Sequence, residues 1–124
     1  MNKTILYLFL FLAAGKIYSQ DITGGWAGSL NIQGTSLRLV FNISKNDTVL
    51  VSTMDSPDQG AYGLPTTRTT YSDNKIEIVA TGLGIYYRGV LDNDSISGTF
   101  SQGGIPFPLT LRRSTEQVIH RPQT

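Results

Sequence analysis

The 124-residue chain contains no cysteine and only one histidine, His120. The first absence excludes a disulfide framework, a thiolate metal site, a cysteine nucleophile and a lipidated N-terminal cysteine. The second leaves no partner set for a histidine-based metal site or catalytic dyad. Charge is sparse as well. Asp, Glu, Lys and Arg make up 15% of the residues and the formal net charge is +1, so there is no basic field for nucleic acid. No G-x-S-x-G nucleophile elbow occurs. The longest apolar run, Ile5 to Ala14, has ten residues, about half of the ~20 that a membrane-spanning helix needs.

That run is what the first twenty residues are built around. Lys3 precedes it, and Gly15, Lys16 and the polar exit Tyr18-Ser19-Gln20 follow. This order reads as a secretory signal, residues 1–19, cut after the small Ser19. The short run and the nearby Lys16 favour a cleaved leader over a retained anchor. Removing Lys3 and Lys16 leaves 8 basic against 9 acidic residues, a net charge of −1. An exported chain with that balance has neither a nucleic-acid groove nor a polybasic membrane patch, and no stable membrane insertion is expected after cleavage. The remaining 105 residues suffice for one modest core.

Beyond Gln20 no segment carries a 3.6-residue apolar stripe, whereas period-2 alternation recurs. Trp26, Gly28, Leu30 and Ile32 share a face, as do Leu37, Leu39, Phe41 and Ile43. Thr48 to Met54 is strand-rich, and a further strand is expected from Thr66 to Tyr71. Ile76, Ile78 and Ala80 are in phase, followed by Ile85, Tyr87, Gly89 and Leu91, then Ile96, Gly98 and Phe100, and finally Ile105, Phe107, Leu109 and Leu111. The breaks carry Gly, Asn and Asp, which tolerate positive φ. The pattern predicts an all-β domain over residues 20–113. It has about eight antiparallel strands in up-and-down order, forming a lipocalin- or avidin-like barrel or a strongly curled sheet. A sandwich is the alternative closure. Gly89 and Gly98, on the apolar face, suit tight curvature. Residues 114–124 lose the alternation and read as a linker or tail.

Six residues stand out as candidate contact or ligand positions. Asp55 and Asp58 lie in Met54-Asp55-Ser56-Pro57-Asp58-Gln59-Gly60. Two carboxylates at this spacing could serve a hard cation or a glycosidase pair, but the segment lacks a calcium loop's spaced ligands, so turn chemistry at a strand end is the stronger reading. Trp26, in Thr23-Gly24-Gly25-Trp26, fills core volume. Its Gly-x-Trp start resembles the opening of lipocalin-like and avidin-like barrels, where the Trp plugs one end. Arg113, in phase with Leu111, is placed to cap it by a cation–π contact. Tyr62, with Tyr71, Tyr86 and Tyr87, could line a pocket. Phe41, Phe100, Phe107 and Trp26 are nevertheless enough to fill a small barrel, which favours a packed core. Tyr86 and Arg88, on the face opposite Tyr87, form a candidate exposed contact patch. No residue set implies a cofactor, a metal or a catalytic group.

Three stretches carry a family resemblance. Ile22 to Ser44, Thr53 to Pro65 and Gly98 to Leu111 together resemble the N-terminal β-domain that precedes the catalytic domain in secreted α/β-hydrolases and peptidases of Bacteroidetes-type bacteria. The string Met54-Asp55-Ser56-Pro57-Asp58-Gln59-Gly60-Ala61 is the most specific part, and Arg121-Pro122-Gln123 resembles the start of that family's Pro-rich linker. The resemblance implies the fold, export and association with a hydrolase, and the reading built on it is a non-catalytic accessory domain. The exposed contacts would come from the Asp55–Pro65 loop and the Tyr86/Arg88 face, and the partner would be an α/β-hydrolase catalytic domain. No catalytic residue carries over, because the family's Ser, acid and His lie in the downstream domain. A free-standing lipocalin-like binder of a small apolar ligand is the alternative. Asp47-Thr48-Val49 and Asp94-Ser95-Ile96 resemble Asp-(Ser/Thr)-aliphatic O-glycosylation sites of exported proteins in such bacteria.

Overall fold

A computed structural model describes residues 21–114. The segments expected as a leader (1–19) and, for the most part, as a linker or tail (114–124) therefore lie outside the described residues. The alternating segments become one antiparallel sheet of nine strands. In chain order these are β1 (Gly24–Ile32), β2 (Thr35–Asn46), β3 (Val49–Ser56), β4 (Ala61–Pro65), β5 (Arg68–Ser72), β6 (Lys75–Ala80), β7 (Ile85–Asp92), β8 (Ser95–Gln102) and β9 (Ile105–Arg113). The sheet order is β4-β3-β2-β1-β9-β8-β7-β6-β5. Each strand pairs with its chain neighbour except across β4 and β5, and β9 returns to β1 through Trp26↔Arg113 and Ala27↔Arg112.

Turn chemistry sets the register. Gln33-Gly34, Asp73-Asn74 and Gly103-Gly104 hold positive φ at both positions, the twist that matches two-residue hairpins. β3 and β6 each end in a short 3-10 turn, Pro57–Gln59 and Thr81–Leu83, closed by Gly60 and Gly84 at φ 67°.

The sheet curls until its edges meet. β4 and β5 are consecutive in the chain but border different strands. Between them Thr66 and Thr67 hold both sides: the Thr66 N–H donates to the Ser52 carbonyl (3.2 Å) and the Thr67 N–H to the Val79 carbonyl (2.6 Å). In effect one strand starts on β3 and finishes on β6.

The concave face is filled. Trp26, Phe41, Tyr87 and Phe100 are almost completely buried among Leu30, Ile78, Ile96, Leu109 and Leu111. The rings of Phe41 and Tyr87 stack at 5.7 Å. Gly89 and Gly98 pair directly across β7 and β8, and their role differs from the expected curvature alone. A Cβ at Gly98 would stand 2.6 Å from the Tyr87 hydroxyl, and one at Gly89 3.0 Å from it. The two glycines thus make room for the Tyr87 phenol, which donates to the Leu109 carbonyl at 2.9 Å.

Candidate functional site

The predicted positions fall into four separate places. Trp26 and Arg113 form the first. The Arg113 guanidinium carbon sits 4.2 Å from the Trp26 ring centroid, the contact expected from phase. The same guanidinium donates to the carbonyls of Thr23 (2.7 Å) and Asp21 and lies 3.8 Å from the Asp94 carboxylate. The Trp26 indole N–H donates to the Ile22 carbonyl at 2.9 Å. The last residue of β9 therefore straps residues 21–23 over the Trp26 end of the barrel. Nearby, the N–H and hydroxyl of Thr23 both donate to Asp21, and they hold its carboxyl below the ordinary range.

Asp55 and Asp58 form the second: Asp55 is buried and Asp58 exposed. Asp55 is 3% exposed, so the proposed exposed loop does not include it. The segment 55–65 is the end of β3, a 3-10 turn and β4. Between Met54 and Ser56 the β3–β4 register slips, a bulge in which Gly63 takes φ 64°. The freed Gly63 N–H donates to Asp55 Oδ1 at 2.7 Å, and Asn42 Nδ2 donates to Oδ2 at 3.0 Å. Asp58 accepts the Arg38 backbone N–H at 2.9 Å, which extends the β2 ladder past the end of β3. Both carboxylates are structural hydrogen-bond acceptors. Among the described residues no cluster of three or more Asp, Glu, His or Cys could hold a metal ion.

Tyr86 and Arg88 lie on the convex face of β7, and here the structure adds residues that alternation alone did not single out. Tyr86 donates to Glu77 Oε2 on β6 (2.5 Å), Glu77 Oε1 faces Arg68 Nη2 on β5 at 3.6 Å, and Arg88 stands 5.9 Å over the Tyr86 ring. Arg68, Glu77, Tyr86 and Arg88 make a continuous polar row across three strands. The bond to Glu77 raises the Tyr86 phenol above its ordinary value, with desolvation as a smaller contribution. Cross-strand register was the missing signal: Glu77 lies opposite Arg88, and Tyr86 opposite Val79.

The four tyrosines do not gather into one pocket. Tyr87 is core, Tyr86 is on the convex face, Tyr62 is on β4, and Tyr71 lines a fourth place, the seam. Only the far half of β3, from Thr53, pairs with β4. Its near half, Val49 to Ser52, faces β5 instead. There a cleft of about 680 Å³ opens, lined by Ile22, Lys45, Leu50, Thr69 and Tyr71 among others. Its inner end is closed by three hydroxyls: Ser52 Oγ lies 2.9 Å from Thr66 Oγ1 and 2.8 Å from Thr69 Oγ1. Burial raises the Tyr71 phenol. Thr48 is exposed on the β2–β3 turn and Ser95 is half-buried at the start of β8.

Among the described residues no helix is long and apolar enough to cross a membrane. No protein-family model, curated protein or solved structure matches the chain.

Proposed function

We propose that this chain is a non-catalytic β-barrel accessory domain of an exported α/β-hydrolase, which it contacts through its convex face. The observation that supports this best is the Arg68–Glu77–Tyr86–Arg88 row. Exposed ion pairs of this kind contribute little to stability, roughly 0.2–1 kcal/mol. A tyrosine and two arginines set along one face, with Glu77 between Arg68 and Tyr86, are instead the composition of a protein-binding patch, where Tyr and Arg concentrate. The resemblance of residues 22–44, 53–65 and 98–111 supplies the partner class. The lipocalin-like alternative has less support, because four large aromatics occupy the interior that a ligand would need.

The test begins with the DNA beyond the Thr124 codon. A reading frame that continues, directly or after a frameshift, into a Pro-rich linker and a G-x-S-x-G is expected. In that longer protein, Tyr86→Ala with Arg88→Ala should weaken the association of the two domains, read as separate rather than joint unfolding. A stop codon with no hydrolase sequence nearby would count against the proposal. So would ester or aminoacyl-anilide turnover by the isolated chain that a point substitution within it abolishes.

A further inference from the structure

The seam is a feature that a packing surface on the convex face leaves unexplained. β3 and β5 run in opposite directions on its two walls, and each has one side without a strand partner over this stretch. The walls meet at the Ser52–Thr66–Thr69 hydroxyls and part toward Lys45 and Asp21. The space is a wedge, closed inside and open at the Trp26 end. Natural sheets guard such edges with charges, prolines or short strands. Here the guard is absent on one wall: Thr48 to Met54 carries no charge, proline or glycine, and Val49 and Val51 are 59% and 42% exposed.

We propose that the wedge binds the end of an extended, uncharged peptide, which adds as a short strand between β3 and β5. Three features select this occupant. A second folded copy could offer only an edge strand with its own sheet behind it, whereas the wedge needs a segment free on both sides. Backbone groups on both walls then receive partners, as in strand addition, with the new strand parallel to one wall and antiparallel to the other. The wedge length, from Val49 to Val51, admits about three residues at ~3.3 Å each. Lining charges are confined to Asp21 and Lys45 at the mouth and oppose one another, so a neutral chain fits better than a charged one. Alternate side chains of that strand face Ile22, Leu50 and Tyr71, which selects small aliphatic residues. The inference is independent of the hydrolase reading, since it uses a different face.

The probe is the capped peptide Ac-Ser-Thr-Val-Thr-Val-NH2, titrated to about 1 mM into the ¹⁵N-labelled chain. Its control carries the same side chains with methylated backbone nitrogens. Expected are amide shifts and slowed hydrogen exchange on both walls, at Val49 to Val51 and at Thr69 to Tyr71, with binding at least ~tenfold weaker for the control. Leu50→Trp, which fills the wedge floor, should lose binding while keeping its exchange protection in β7 and β8. Equal binding of the methylated peptide would make the wedge a site for a small apolar ligand and overturn the proposal. Protection on one wall only, or no shift at the highest concentration, would overturn it as well.

Discussion

Replacing Asp55 with Ala removes the acceptor of two donors, the Gly63 N–H and the Asn42 amide. Leaving such buried groups unpaired costs about 1–3 kcal/mol, so a loss of unfolding free energy of that size is expected, read from the lowered midpoint of urea denaturation. Asp55→Asn, which retains one oxygen acceptor, should lose less. This residue was legible as turn chemistry from Pro57 and Gly60. Its burial was not, because it depends on Asn42, thirteen positions away. Arg113 over Trp26 was legible because strand phase and charge placement point to the same contact. Gly98→Ala tests the floor beneath Tyr87. The new Cβ would meet the Arg88 carbonyl at 2.4 Å, a backbone atom that cannot swing aside. A loss of about 1–3 kcal/mol from overpacking is expected, measured by thermal or denaturant unfolding. Glu77→Gln should bring the Tyr86 titration down toward 10.0, followed by NMR of ¹³C-labelled tyrosine. The sign follows from the raised phenol. The folded state holds that proton more tightly than the unfolded chain, so the stabilisation is complete below the ordinary value and disappears as pH climbs through the raised one.

Six strands were legible because apolar residues alternate wherever one sheet face is buried, and two more were expected from the runs Thr48 to Met54 and Thr66 to Tyr71. Lys75 to Ala80 matches β6 at both ends, and the breaks that carry Gly, Asn and Asp become turns such as Gln33-Gly34 and Gly103-Gly104. β4 was not legible. Ala61-Tyr62-Gly63-Leu64-Pro65 has a glycine and a proline in five residues, and its one-sided pairing on a bulge demands no alternation. The strand placed from Thr66 begins only at Arg68, because Thr66 and Thr67 are spent on bridging β3 to β6. Edge position also predicts behaviour. The uncharged β3 run is an aggregation liability when it opens, and Val51→Lys should raise the onset temperature of light scattering by placing a charge on that edge.

At the scale of the whole molecule, the two halves of the sheet are joined at its middle by pairing the first strand with the last. Arg113 supports that junction by joining β9 to residues 21–23 and to Trp26. Arg113→Ala should therefore wet the indole. Trp26 is the only tryptophan, so a red shift of intrinsic fluorescence in the native state reports it directly, with Arg113→Lys restoring little because an ammonium lacks the planar stacking surface. Contacts between strands at opposite ends of the sequence also carry a large loop-closure entropy, which places folding toward the slow end for this size. The same pairing makes the fold a cartridge. Asp21 and Ser114 are tied to one another's neighbourhoods by Arg113 and by the Ser114 bond to Gly25. A host polypeptide could enter at one and leave at the other across a gap that one arginine side chain spans. The barrel could thus be spliced into a surface loop of another protein, or cut open at Gln33-Gly34 after joining its ends, without rethreading a strand.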